Sequence, residues 1–513
     1  MDFLNTSLLD PVKFAETIAT VIATPSSPTT QRVDFVLRSE SLQVVRGEIL
    51  EVPMPNVERP TSIVLLVVQE IHKSNAYFSS ADVAKDVGSV SSSTEHLSAL
   101  FPTDEWATTV VTSRPLGSYS GQTGRIQRVQ FPVSPGNTVQ RARSDLLSHF
   151  LGLVPEGEGL NLGSIATAAT PLVVDVTRLV RKHLAILAIS GAGKSYTTSV
   201  LLEELLSRNA EVGRLPVLVV DPHGEYKGFA DVLDKPSLAT VYPGRFLSIQ
   251  TNDLTAWRLR EYAPDISPVQ VRELDRIMTG LRRETPVFSF KDLLNAVTQS
   301  EIGIRTKESL LGWLDNLDRT RLFGTNANPD LATIVRPGRI SIFDLSDFQS
   351  VRQKQIMCAH IARVVFELRR QGTIPPFLLV VEEAHQFCPE NGVAISKGIL
   401  ETIAREGRKF FASLCLISQR PVRLSATALS QCNTHLIMRV RNPYDLDYLG
   451  RLSEGLDRDT LRFIPDLDVG EGLLVGEAVN YPVLFRVRRK KFQTGQFETS
   501  LESELRRFET PED

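Results

Sequence analysis

Residues 184–202 constrain the fold more than any other stretch of this 513-residue chain. An apolar run, Leu184-Ala-Ile-Leu187, leads into Ala188-Ile-Ser-Gly-Ala-Gly-Lys-Ser195, and Tyr196-Thr-Thr-Ser-Val-Leu-Leu202 follows. A buried strand, a Gly-rich loop and the start of a helix, in that order, is the layout of a phosphate-binding loop. The backbone N–H groups of Gly191, Ala192, Gly193, Lys194, Ser195 and Tyr196 would cradle a triphosphate at the helix N-terminus. Lys194 would reach the outer phosphates, and the Ser195 hydroxyl would ligate Mg²⁺. Gly191 and Gly193 let the backbone approach the phosphates. Ala188 stands where the first Gly of such a loop is expected, a mild departure because Ala is small. ATP and Mg²⁺ are the implied cofactors.

Bulk composition sets wide limits. With 42% hydrophobic residues the chain has ample core for two to four domains. Its 57 basic and 60 acidic residues nearly cancel, so nucleic acid could be met only through a local patch or an oligomer that concentrates charge. Cys358, Cys388, Cys415 and Cys432 are far apart and form no CxxC pair, which predicts buried free thiols in a reducing compartment. No basic stretch followed by an apolar one opens the chain, and no apolar run approaches the ~20 residues that span a bilayer. A soluble, cytoplasmic protein is expected.

Two regimes follow one another along the chain. A short helical lead is expected over 1–24, broken at Pro25-Ser-Ser-Pro28. Short β-like runs come next: Val33–Leu37, Leu42–Val45, Gly47–Val52, Ser62–Ile71, Thr108–Thr112 and Ile126–Phe131. That spacing predicts a small barrel or sandwich. A helix is expected at 144–151. From about Pro171, apolar strands alternate with helices: Leu184–Leu187, Val217–Asp221, Arg339–Asp344, Phe377–Val381, Ser413–Ser418 and Thr434–Val440. Continuous apolar runs mark strands covered on both faces, hence a mostly parallel sheet in an α/β domain. Helical patterning at Val269–Arg283, Phe290–Gln299 and Lys307–Leu317 reads as an insertion.

The acids of Phe377-Leu-Leu-Val-Val-Glu-Glu-Ala-His385 stand only at the strand's end, where ligands bind in an open α/β sheet. Glu382 would bind Mg²⁺, and Glu383 would be the base that orients the attacking water. The bland alternative is a solvated strand end. Asp221, His223 and Glu225, in Asp221-Pro-His-Gly-Glu225, would support Mg²⁺, relay the presence of nucleotide to a pore loop, or simply make a turn. Gln419, at the end of Leu416-Ile-Ser-Gln419, could hydrogen-bond the γ-phosphate or the water. Arg405-Glu-Gly-Arg408-Lys409 either caps a helix C-terminus or supplies an arginine to a neighbouring subunit's phosphoryl-transfer site.

Taken together these motifs resemble the HerA branch of the HerA/FtsK superfamily of hexameric DNA-translocating ATPases. The residues that carry the resemblance are His183–Leu187, the phosphate loop, Asp221–Tyr226, Val380–His385, Ala404–Phe410, Ile417–Pro421 and Arg441–Asp445, in the family's order. The resemblance implies a RecA-like core and a homo-hexameric ring with double-stranded DNA in its channel. It implies Glu383 as catalytic acid and Arg408 as the finger donated in trans. It also implies partners such as a NurA-like nuclease in DNA end processing, or a Sir2-like or nuclease effector in anti-phage defence. Lys182 stands where relatives often carry an Arg near the phosphates. Lys397, Arg420 and Arg423 are candidate DNA contacts, although a cation in such a place is more often a solvated one. A second reading is a ring that scaffolds and activates a partner effector with little movement of its own. The implied organisation is a lead (1–24), a HAS-barrel-like domain (25–165), an ATPase core in two parts (166–251 and 336–487) around a helical insertion (252–335), and a tail (488–513).

Overall fold

A computed structural model describes residues 16–39, 41–54, 62–75, 107–121, 123–230, 238–452, 455–456, 458–492 and 505–506. Much of the expected lead and tail lies outside them. The chain divides into two compact units, residues 1–153 with 164–171 and residues 154–163 with 172–513.

The first unit is an antiparallel sheet that closes on itself. Its strands run in the spatial order Val33–Leu37, Thr17–Val21, Thr138–Arg141, Ile49–Met54, Ser62–Asn75, Ala107–Ser120 and Arg125–Gln127. Val33–Leu37 also pairs with Ala107–Ser120, which closes a barrel around Ile18, Phe35, Leu50, Leu66 and Val111. Two expectations change here. Thr17–Val21 is a strand rather than part of a helical lead. Its β-branched Thr-Ile-Ala-Thr-Val sequence buries Ile18, Ala19 and Val21 between two neighbouring strands, and that pairing outweighs the helical spacing. Leu42–Val45 is not a strand. Its backbone is satisfied by other groups: Arg141 donates to the Gln43 carbonyl, and Val45 N–H donates to Glu48.

The second unit is built on an eleven-stranded sheet. Its strands are β1 (Leu160–Ile165), β2 (Pro171–Val174), β3 (Leu184–Leu187), β4 (Val217–Asp221), β5 (Ala239–Pro243), β6 (Ile340–Asp344), β7 (Phe377–Val381), β8 (Ala412–Ser418), β9 (Thr434–Ile437), β10 (Glu471–Gly476) and β11 (Val483–Val487). The order across the sheet is β5-β6-β4-β7-β8-β3-β9-β10-β11-β1-β2. From β5 to β9 every pairing is parallel, and β10 and β11 continue the sheet with antiparallel pairings. All residues of β3, β4, β6, β7, β8 and β9 are buried, as strands covered on both faces require.

Helices cover the sheet: α1 (Lys194–Ser207), α2 (Ala256–Tyr262), α3 (Pro268–Glu284), α4 (Phe290–Gln299), α5 (Ile304–Asp318), α6 (Val351–Arg370) and α7 (Lys397–Glu406). Ser267 with Gln270, Ser289 with Asp292 and Ser350 with Gln353 form capping boxes that fix the starts of α3, α4 and α6. Helices α2–α5 occupy the expected insertion, yet Leu259, Leu274, Leu293 and Leu310 share one apolar core with the sheet strands. Gly163 in β1 is forced: a Cβ there would lie 2.0 Å from the Arg486 carbonyl oxygen of β11. All four cysteines are buried free thiols. No helix among the described residues is long and apolar enough to cross a membrane.

Candidate active site

Parallel register brings the carboxyl ends of β3, β8, β7 and β4 to one edge, with Leu187 beside Ser418 and Val381 beside Val220. Everything that follows these ends shares a cleft. After β3, Ala188 N–H donates to the Ser418 carbonyl at 3.2 Å. Ala188 is fully buried and does not adopt the left-handed conformation, so this position does not need glycine. Gly191 and Gly193 do take that conformation, with φ of 76° and 99°. The loop then opens directly into α1 at Lys194, leaving unpaired N–H groups at the helix start to face an anion.

Lys194 is buried between two carboxylates. Its Nζ donates to Glu382 Oε1 at 2.5 Å and to Glu383 Oε1 at 2.8 Å. Burial opposes its charge, but the two acids outweigh burial and hold the ammonium above its ordinary value. Glu382 is fully buried, and burial pushes its carboxyl up to about 7 against the pull of Lys194. Glu383 goes the other way. Burial would raise it, yet Lys194, Gln419 and His385 together bring it below its usual value. Neighbouring acids with opposed shifts are the pattern of a site that divides roles between them.

Glu383 is also strained. Its φ of 49° is left-handed, which costs a non-glycine residue roughly 1–3 kcal/mol. Three side chains hold it there. Lys194 and the Gln419 amide, at 2.5 Å, both donate to Oε1, and His385 Nδ1 lies 3.2 Å from Oε2. His385 Nδ1 is equally 3.2 Å from Ser418 Oγ.

The expected metal ligands separate. Ser195 Oγ donates to Glu225 Oε2, at the tip of the turn that follows β4. Glu382 Oε2 has no hydrogen-bond partner among the described residues. A hydroxyl, a carboxylate and a buried unpartnered carboxylate oxygen are hard ligands that fit Mg²⁺. Asp221, expected among these ligands, does not join them. It accepts backbone N–H bonds from His223 at 3.1 Å, Gly224 at 2.8 Å and Tyr226 at 2.9 Å, so its oxygens are spent organising the turn. Glu225 takes the position beside Ser195 instead. The signal for this lay in the sequence as an acid four residues beyond the strand end, but which acid faces inward depends on the turn.

Tyr196 points its side chain away from the loop. Its hydroxyl accepts the Lys490 N–H at 2.8 Å, and the Lys490 ammonium sits 4.8 Å from the ring centre. The same C-terminal segment grips α1 from behind. Arg488 reaches Glu203 at 2.9 Å and Glu204 at 2.8 Å, while Lys491 and Phe492 donate backbone N–H groups to Glu203.

Arg408 does not enter this cleft. It precedes the amino end of β8, whereas Gln419 follows the carboxyl end, so the seven-residue strand holds them about 20 Å apart. Arg405, Arg408 and Lys409 are exposed, and no acid pairs with them among the described residues. His183 fastens this segment to the start of β3. Its Nε2 donates to the Ala404 carbonyl at 2.9 Å, and its Nδ1 accepts from Leu414 N–H at 3.0 Å. Burial holds the His183 ring at about 4, hence neutral, as that bonding pattern requires. Lys182 lies at this same far edge and pairs with Glu477 at 2.7 Å, away from its own chain's phosphate loop. Lys397 donates to the Glu390 carbonyl at 3.1 Å, which closes its loop and commits the cation. Arg420 and Arg423 are exposed beside the cleft.

The chain is similar to several known proteins. A family model described as the central domain of helicase HerA matches residues 160–365. The DNA double-strand break repair helicase HerA of Pyrococcus furiosus is 28% identical over 452 residues, covering 76% of this chain and 80% of that protein. A probable helicase of the same name from Methanocaldococcus jannaschii is 27% identical over 416 residues, covering 69% and 81%. Among solved structures, VirB4 of Thermoanaerobacter pseudethanolicus superposes with a TM-score of 0.51 at 16% identity, covering 66% of this chain and 99% of that one.

Proposed function

The chain belongs to the HerA family of P-loop ATPases, and from that premise we propose that it hydrolyses ATP as a homo-hexamer that drives double-stranded DNA through its ring. The observation that carries the proposal is the division of the hydrolytic parts between two edges of one sheet. Lys194, Glu382, Glu383 and Gln419 meet at the carboxyl edge, and exposed Arg408 lies about 20 Å away at the amino edge. Such a chain completes a site only by lending Arg408 to a neighbour, where the guanidinium offsets charge developing on the phosphoryl oxygens.

The roles follow from the contacts. Lys194 leaves its two acids to meet the β- and γ-phosphates. Glu383, released from Lys194 and still held by Gln419, accepts a proton from the attacking water. Ser195 and Glu225, together with the free oxygen of Glu382, would hold Mg²⁺, which neutralises phosphate charge when bound. Arg420 and Arg423 are the candidate contacts to the DNA backbone. The family resemblance supports a separate nuclease or defence effector as the working partner.

Mixing two inactive variants tests the shared site. Lys194→Ala and Arg408→Ala subunits, combined in equal amounts, should regain about a quarter of the wild-type ATPase rate, because random neighbours rebuild about that share of sites. No recovery from assembled mixed rings would show that the parts act within one chain. ATPase activity without displacement of a duplex would favour the scaffold over the motor.

A further inference from the structure

The strand end at Ser418 joins more of the site than the hydrolytic reading uses. Ser418 is fully buried. Its carbonyl accepts the Ala188 N–H at the base of the phosphate loop. Its hydroxyl accepts the Arg420 N–H at 3.0 Å and lies 3.2 Å from His385 Nδ1. A proton on that nitrogen is shared between Ser418 Oγ and Glu383 Oε2, both at 3.2 Å. An unbroken series of contacts therefore runs from Arg420 through Ser418 and His385 to the strained carboxylate of Glu383.

The outer end of this series is built to meet an anion. Arg420 and Arg423 flank Pro421 in a short 3₁₀ turn, and neither side chain has a partner among the described residues. The turn is stiff. Val422 N–H donates to Asp445 at 3.0 Å, and the Arg423 carbonyl accepts Glu390 N–H at 2.8 Å. A pull on these guanidiniums moves the turn as a unit, and the Ser418 hydroxyl is its first contact inward. At the inner end, Glu383 sits in a conformation that persists only while its neighbours hold it.

We infer that Ser418 and His385 are positioning residues that report occupation of the Arg420–Arg423 turn by a phosphodiester backbone to the carboxylate of Glu383. The link rests on the proposed DNA-driven ATPase and adds a route by which DNA sets the rate. With the turn empty, His385 holds Glu383 aside. With a backbone on Arg420 and Arg423, the shift at Ser418 turns His385 and presents Glu383 to the water.

The measurement is kcat for ATP hydrolysis with saturating duplex DNA divided by kcat without it. Ser418→Ala and, separately, His385→Ala should lower that ratio by about threefold or more, with KM for ATP and duplex affinity within about twofold of wild type. Ser418→Thr, which keeps the hydroxyl, should restore the ratio. The double variant should lose no more than the single ones, because both interrupt one series. A Ser418→Ala ring that binds ATP and keeps the wild-type ratio overturns the link while leaving the motor reading intact. Failure of duplex to raise the wild-type rate removes the link and counts against the DNA-driven reading as well.

Discussion

Arg488→Ala should destabilise the second unit by about 3 kcal/mol, the low end of the cost of breaking a buried ion pair. The structure sets that figure. Arg488 is 14% exposed, Glu203 is 0% and Glu204 is 9%, so truncating the arginine strips a cation from two carboxylates that water barely reaches. Two backbone N–H groups stay on Glu203 and Lys491 stays on Glu204, which keeps the cost from the upper end. The unit spans roughly 350 residues, with an unfolding entropy near 0.7 kcal/mol per kelvin, so the melting temperature should fall by about 4 °C. Differential scanning calorimetry of the nucleotide-free protein reads this directly. Arg451→Ala is the control. Arg451 pairs with Asp447, but the two side chains are 75% and 64% exposed, and its loss should cost less than about 1 kcal/mol. Adding Glu203→Gln and Glu204→Gln to Arg488→Ala should recover part of the loss by removing the stranded charges. A shift no larger than the Arg451 control, or no recovery in the triple variant, would refute the view that Arg488 neutralises buried acids.

Glu383→Gln should keep nucleotide affinity, read with a fluorescent ATP analogue, while turnover falls by at least about a hundredfold for want of a base. His183→Asn should flatten the acid limb of the stability curve. With its folded value near 4 and its unfolded value near 6.5, His183 binds more protons when unfolded across that window, so stability drops as pH falls, by up to about 1.4 kcal/mol per pH unit. Urea midpoints between pH 7 and 5 should lose that slope in the variant, and an unchanged slope would assign the acid sensitivity elsewhere. Gly163→Ala should cost about 2 kcal/mol or more, because its Cβ meets the Arg486 carbonyl, and thermal melts of the variant check it.

The central sheet was legible because two-sided burial leaves uninterrupted apolar runs, as in Phe377–Val381 and Val217–Asp221. The barrel was less so. Thr17–Val21 and Leu42–Val45 carry similar local signals, and only the neighbours' pairing decides which becomes a strand. Lys194, Glu382, Glu383 and Gln419 could be read from sequence because each follows an apolar run, and such runs end at the ligand edge. Which of Asp221 and Glu225 faces Ser195 could not, because it turns on three backbone N–H bonds inside one turn. The parts played by His385 and Ser418 depend on two strand ends lying side by side, a fact of register rather than of spacing.

Strand β8 carries one further consequence. It is a seven-residue strand whose two ends, in the proposed ring, would serve different nucleotides, one its own and one its neighbour's. Subunits so built would not be independent engines: capacity would belong to the junctions between them. An open chain of such subunits has one fewer working junction than it has members, and its terminal nucleotide lacks a guanidinium. In the proposed ring, a gap that admits DNA would thus be catalytically silent until it closes, and closure itself would be the event that starts the last motor.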